Sequence, residues 1–125
     1  CQLWACETQG PMPLLFLDEP TASQDLAQQL AILQVAGDHA RRGGAVVSIL
    51  HDINLAAAWA DRILVLSRGQ LYADGVPAAV VTSAMLEDVF RVRLSPGALP
   101  AGPVPFVLPQ TAVRLDETDV VSSAF

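Results

Sequence analysis

The chain has 125 residues, 52% of them apolar, with a formal charge of −6. That is room for one small globular domain or for part of a larger one. All seven cationic side chains are Arg, so no basic patch points to nucleic acid, and no run of about 18 apolar residues could span a bilayer.

No basic-then-apolar leader opens the chain. It starts at Cys1 rather than Met, and Cys1 to Cys6 reads as the tail of a helix already under way, so a fragment of a longer protein is expected. Cys1 and Cys6 lack metal-site or redox spacing and read as free thiols in a reducing, cytosolic compartment. Glu7 to Pro11 carries Gly and Pro and reads as a loop.

Leu14-Leu15-Phe16-Leu17 is an apolar run suited to a strand buried on both sides. Fully buried, each side chain would contribute roughly 1.5–3 kcal/mol. Asp18 and Glu19 follow at the C-terminal end, where open α/β sheets place ligands. Pro20 cannot donate to a ladder and stops the strand. The plain alternative is a strand ending in a turn with two solvated acids. A buried pair would need a positive partner, and a magnesium ion with its phosphates would serve.

Thr21 to Gln24 leads to Asp25, placed to cap the next helix. That helix is expected from Leu26 to Arg41, with Leu26, Leu30, Leu33 and Gly37 on one apolar stripe. His39, beside Arg41 and Arg42, suits a helix C-terminus and is read as a surface residue without a catalytic role. Gly43-Gly44 allows a left-handed turn into a second buried strand, Ala45 to Leu50. His51 ends that strand, either as a structural residue or as a catalytic one. Asp52 is expected to cap a helix whose buried face is Ile53, Ala56, Ala57 and Ala60.

Arg62 to Ser67 reads as a third buried strand, turned by Arg68-Gly69-Gln70 into a hairpin ending at Gly75. A last helix is expected from about Thr82, with Met85/Val89 and Leu86/Phe90 as i, i+4 pairs. From Ser95 the prolines read as an extended linker, with Phe106 to Leu108 as a short edge strand. Asp116 to Phe125 has no periodicity and is expected to be disordered. The division is therefore 1–13, helix tail and loop; 14–94, the folded part; and 95–125, Pro-rich linker and partly disordered tail.

Leu14-Leu15-Phe16-Leu17-Asp18-Glu19-Pro20-Thr21 resembles the Walker B segment of ATP-binding cassette (ABC) ATPases. Ile49-Leu50-His51-Asp52-Ile53-Asn54-Leu55-Ala56 resembles their switch-His passage. The resemblance implies an α/β fold: the C-terminal portion of a P-loop NTPase core, mainly parallel sheet with flanking helices and a C-terminal hairpin. It implies ATP and Mg²⁺ as cofactors, with Asp18 holding the metal through water and Glu19 polarising the attacking water. His51 would contact the γ-phosphate, and Asp25, in the loop matching Ser-Ala-Leu-Asp, would reach the dimer interface. These are the candidate site residues: Glu19 and His51 catalytic, and Asp18, Glu19, Asp25 and His51 binding the nucleotide and metal. Gln24 stands where that loop usually has Leu, and Val76 where a capping Thr is usual.

Neither a Gly-x-x-x-x-Gly-Lys-Ser/Thr phosphate loop nor a Leu-Ser-Gly-Gly signature is present, and there is no Lys. The family places these upstream, the phosphate-loop strand inserting between Ala45–Leu50 and Arg62–Ser67. The 125 residues alone are therefore expected to be inactive. Within the family the likeness is to haem, siderophore and cobalamin importer ATPases. The loop Glu7–Pro13 and the Val-Pro-Phe-Val-Leu-Pro tail resemble habits of hemin importers. Implied partners are a second ATPase copy, two membrane permease subunits and, indirectly, a periplasmic substrate-binding protein, with the subunit on the cytoplasmic face of a bacterial inner membrane. Alternatives are a siderophore or cobalamin importer ATPase, a non-transport ABC ATPase, and a regulatory module that has lost catalysis.

Overall fold

The computed structural model describes residues 13–115; Cys1, Cys6, most of the Glu7–Pro13 loop and the Asp116–Phe125 tail lie outside the described residues. The chain divides into two compact units, Cys1–Asp52 and Ile53–Phe125.

The first unit is a β–α–β passage: β1 (Leu14–Asp18), α1 (Leu26–Arg41) and β2 (Ala45–Ile49). β1 and β2 pair in parallel, Leu14 opposite Ala45 through Asp18 opposite Ile49. A 16-residue helix between parallel strands is the connection such a pair requires. Leu15, Leu17 and Ala36 form the buried cluster, with Val46 packed against it, so α1 covers one face of the pair.

That single covered face corrects the expectation of strands buried on both sides. Phe16 is 58% exposed, and Leu14, Val47 and Ile49 share its outward face. Side chains alternate along a strand, and one helix covers only one set. The stripe on α1 is corrected too. Leu33 and Ala36 are buried while Leu26 and Leu30 are exposed, and it is Ala36 that packs against Leu15 and Leu17 of β1. Gly43 ends the helix connection at φ 92°, the left-handed geometry its sequence allowed.

His39 is half-buried rather than a plain surface residue. Its Nε2–H donates to the Pro13 carbonyl at 3.1 Å, tying the end of α1 to the start of β1. A side chain at Gly44 would collide with the His39 ring, so the bare backbone there lets the imidazole through.

The second unit begins with α2 (Ile53–Trp59), followed by the antiparallel hairpin β3 (Ile63–Ser67) and β4 (Gln70–Gly75). Arg68 and Gly69 both adopt positive φ, 51° and 75°, the pattern of a two-residue hairpin turn whose twist matches the strands. The expected face of α2 holds: Ala57 is buried, with Ile53, Ala56 and Ala60 packed against the same cluster. β3, like β1, is buried on one face only, with Ile63 and Val65 inside and Leu64 and Leu66 exposed.

α3 (Pro77–Val80) has Val76 at its N-cap, where no side-chain capping bond is made. α4 (Ser83–Met85) is capped by Thr82, whose Oγ1 accepts from the Met85 amide at 3.1 Å, and continues as a π-helical turn, Leu86–Phe90. Met85, Leu86 and Val81 are the largest fully buried side chains of this unit's core.

β5 (Val92–Leu94) pairs antiparallel with β6 (Ala112–Arg114), which follows a short 3₁₀ turn, Pro109–Thr111. Phe106 to Leu108 is therefore not the edge strand. Its backbone is held by a side chain instead: Asn54 Nδ2 donates to the Val107 carbonyl at 3.0 Å, and the Val107 amide donates to Asn54 Oδ1 at 2.7 Å. The amide of Asn54 takes the place of a neighbouring strand.

Candidate functional site

The site lies within the first unit, at the C-terminal ends of β1 and β2. Parallel pairing brings Asp18 opposite Ile49, so the residues just beyond each strand leave the sheet side by side. The Glu19 amide extends the ladder by one bond, donating to the Ile49 carbonyl at 3.0 Å.

Glu19 sits at φ 45°, a left-handed conformation uncommon for a residue with a β-carbon. Such geometry costs on the order of 1–3 kcal/mol and persists where surrounding bonds hold it. Here the Ile49 carbonyl holds its amide and the Ala22 amide donates to its carbonyl at 3.1 Å. The turn swings the Glu19 side chain toward His51. His51 Nε2–H donates to Glu19 Oε1 at 2.5 Å. The side chains are 76% and 46% exposed, so the pair faces solvent, where a ligand can reach both.

Asp18 is exposed on the same outward face as Phe16, one residue from Glu19. Its carboxylate makes no hydrogen bond or ion pair among the described residues. Asp25 stands apart from this pair in role: its Oδ1 accepts from the Gln28 amide at 2.8 Å, the N-cap of α1. The structure thus joins Glu19 and His51 directly, keeps Asp18 beside them by chain connectivity, and assigns Asp25 a capping bond.

Gln29 is a residue that pattern reading passes over. Its Nε2 donates to the carbonyls of Thr21 and Gln24, each at 3.2 Å. Those carbonyls belong to the loop joining Glu19 to Asp25. Apolar periodicity carries no signal for such a bond.

Among the described residues no group of three or more His, Cys, Asp or Glu could cage a metal. Mg²⁺ is commonly held by one or two carboxylates together with waters and phosphates rather than by an all-protein cage. Asp18, solvent-facing and without a partner among the described residues, fits that donor set. Among the described residues no helix is long and apolar enough to cross a membrane.

A solved inward-facing structure of a metal-chelate type ABC transporter matches 84% of this chain, with a TM-score of 0.60 and 26% identity, over 41% of its own chain. The fold is that of the C-terminal portion of an ABC ATPase core. A second ABC structure, cbiO1 from Clostridium perfringens, part of the cbiONQ transporter complex, matches 58% of the chain at a TM-score of 0.50. In sequence the chain is 52% identical over 113 residues to the hemin import ATP-binding protein HmuV of Mesorhizobium japonicum, and 51% identical over 111 residues to that of Rhodopseudomonas palustris. These cover 90% and 89% of this chain but 43% and 41% of those relatives, so the chain spans about two fifths of their length. No family model matches the chain.

Proposed function

We propose that the chain supplies the water-orienting Glu, the metal-side Asp and the phosphate-sensing His of an ABC-type ATPase subunit that powers hemin import. The observation that carries this reading is the Glu19–His51 hydrogen bond at the rim of the β1–β2 pair. It is supported by the hemin-import names of relatives at 40–52% identity over most of the chain.

Hydrolysis forms a bond from water oxygen to the γ-phosphorus and breaks the bridge to ADP. Little covalent chemistry falls to the protein, so its task is positioning and charge stabilisation. Glu19, whose second carboxylate oxygen has no partner among the described residues, accepts a hydrogen bond from the water and aims its lone pair. The His51 N–H that now meets Glu19 is the donor a γ-phosphate oxygen takes, most strongly as charge develops there. Asp18 would hold Mg²⁺ through water. When bound, the ion neutralises charge on the phosphates.

On this reading the subunit binds ATP and works as a pair of copies, Asp25 lying in the loop between them. It drives two membrane permease subunits, fed by a periplasmic binding protein, from the cytoplasmic face of the membrane. Hemin would pass through the permease, so no residue of this chain need touch it. A second cargo, another metal chelate, is favoured by the likeness to the metal-chelate type transporter.

The test is ATP-driven uptake into vesicles carrying the complete subunit and its permease, offered hemin, a ferric siderophore or cobalamin. Hemin uptake supports the proposal. Uptake of only another chelate transfers it to the second cargo, and no ATP-dependent uptake of any of them contradicts both.

A further inference from the structure

We infer that Gln29 is a positioning residue for the Glu19–His51 site, acting through the loop Thr21–Gln24; this rests on the ATPase reading above. Between Glu19 and the Asp25 cap the chain reverses in a few residues, with Ser23 at φ 60°. Two backbone bonds shape that reversal: the Ala22 amide to the Glu19 carbonyl at 3.1 Å, and the Gln24 amide to the Thr21 carbonyl at 3.4 Å. The second is long and weak for an N–H···O bond.

Gln29 reinforces the loop. One NH₂ group donates to two carbonyls, Thr21 and Gln24, at the buried and the exposed ends of the turn. The Thr21 carbonyl thereby uses both lone pairs, one for Gln24 and one for Gln29. Because both partners are acceptors, only a side chain with at least two donors can span them. A carboxylate would repel both, and an alkyl group would leave one partly buried carbonyl short of a bond.

The consequence reaches Glu19. Its left-handed backbone is uncommon and must be held from outside. One of the two bonds holding it comes from Ala22, inside the turn that Gln29 pins to α1. Loosening the turn frees Glu19 to relax toward ordinary φ, which swings its carboxylate away from His51. Gln29 touches neither nucleotide nor the reacting atoms; it fixes the residue that does.

The experiment uses the complete ATPase subunit. Gln29→Ala puts the strongest helix former at a half-buried position of α1, so folding should survive. Gln29→Glu keeps the length but removes the donors, and Gln29→Lys keeps donors on a similar stem. The expected result is a kcat lowered about tenfold in Gln29→Ala and Gln29→Glu, a size in keeping with slight misplacement of a reacting group. KM for ATP should stay within about twofold and the lysine variant should recover most of the loss. Amide exchange at Ala22 and Gln24 should speed up in the first two variants even without nucleotide. Wild-type kcat in Gln29→Glu, or unchanged exchange at both amides, overturns the inference. Unchanged hydrolysis in a Glu19→Gln subunit overturns the ATPase reading instead, and the exchange data still judge the clamp.

Discussion

His51 donates from Nε2 to Glu19 Oε1 across 2.5 Å, although the two residues stand 32 positions apart in the chain. The parallel register of β1 and β2 produces that meeting, and the left-handed turn at Glu19 completes it. The strands supply the base and the two loops supply the chemistry.

Removing the imidazole tests its half of the pair. In the complete subunit, His51→Ala should lower kcat on the order of 10²-fold, the cost of losing one donor to developing charge. Affinity for ATP should change far less, because the contact matters most in the transition state. Equal turnover in the variant would return His51 to a purely structural role.

Asp25 has a role that a stability measurement can isolate. Asp25→Ala removes the bond to the Gln28 amide and should destabilise the fold by about 1 kcal/mol, read as a lower urea midpoint. Asp25→Asn is as good a cap and should keep stability. If Asp25→Asn also keeps full turnover, the negative charge has no further task at an interface.

Much of this site was legible in the sequence, and the misses have physical causes. β1 and α1 appear within the expected limits because Pro20, Asp25 and Gly43 are unambiguous stop and start signals. The meeting of Glu19 and His51 was implied by the resemblance of their two segments to the Walker B and switch-His passages; polar strand ends alone left solvated acids and a structural His equally open. Which strand face is buried was not legible: Leu14 to Leu17 is apolar throughout, so it carries no alternation to read. The positive φ of Glu19 gave no warning either, since its residue type does not favour that region. Asn54 and Gln29 act through backbone carbonyls and amides, partners that leave no mark in a pattern of side chains.

The β3–β4 hairpin carries a pH signature. Arg62 donates from Nε and Nη2 to the two oxygens of Asp74 at 2.6 and 2.7 Å, across the strand-end pair. Those hydrogen bonds, aided by the Arg62 charge and opposed by desolvation, hold the Asp74 carboxyl below the usual carboxylate range. A folded-state value below the unfolded one means the unfolded chain binds more protons in acid. The pair's stabilisation is therefore present above about pH 4 and lost as pH falls through the lowered value. Asp74→Asn should flatten that part of the stability–pH curve, measured by urea unfolding between neutral and acid pH. An unchanged acid slope would show that the pair does not contribute.

Ser48 is the one described residue with a buried side-chain oxygen lacking a hydrogen-bond partner. It lies opposite Leu17, which is part of the core under α1. A buried hydroxyl without a partner loses its hydration and gains nothing in return. Ser48→Ala should thus be neutral or stabilising by up to about 1 kcal/mol. A loss larger than that in thermal or urea unfolding would reveal a partner for the hydroxyl.

The most direct measurement of the account is ATP turnover by the complete subunit carrying Glu19→Gln, a change of one atom that keeps size and removes the charge. Orientation of water by Glu19 predicts that kcat falls by at least about 10²-fold while nucleotide binding stays within about threefold, leaving a stabilised nucleotide-bound dimer. Turnover within about twofold of the wild type would contradict it and leave the Glu19–His51 pair without a catalytic task.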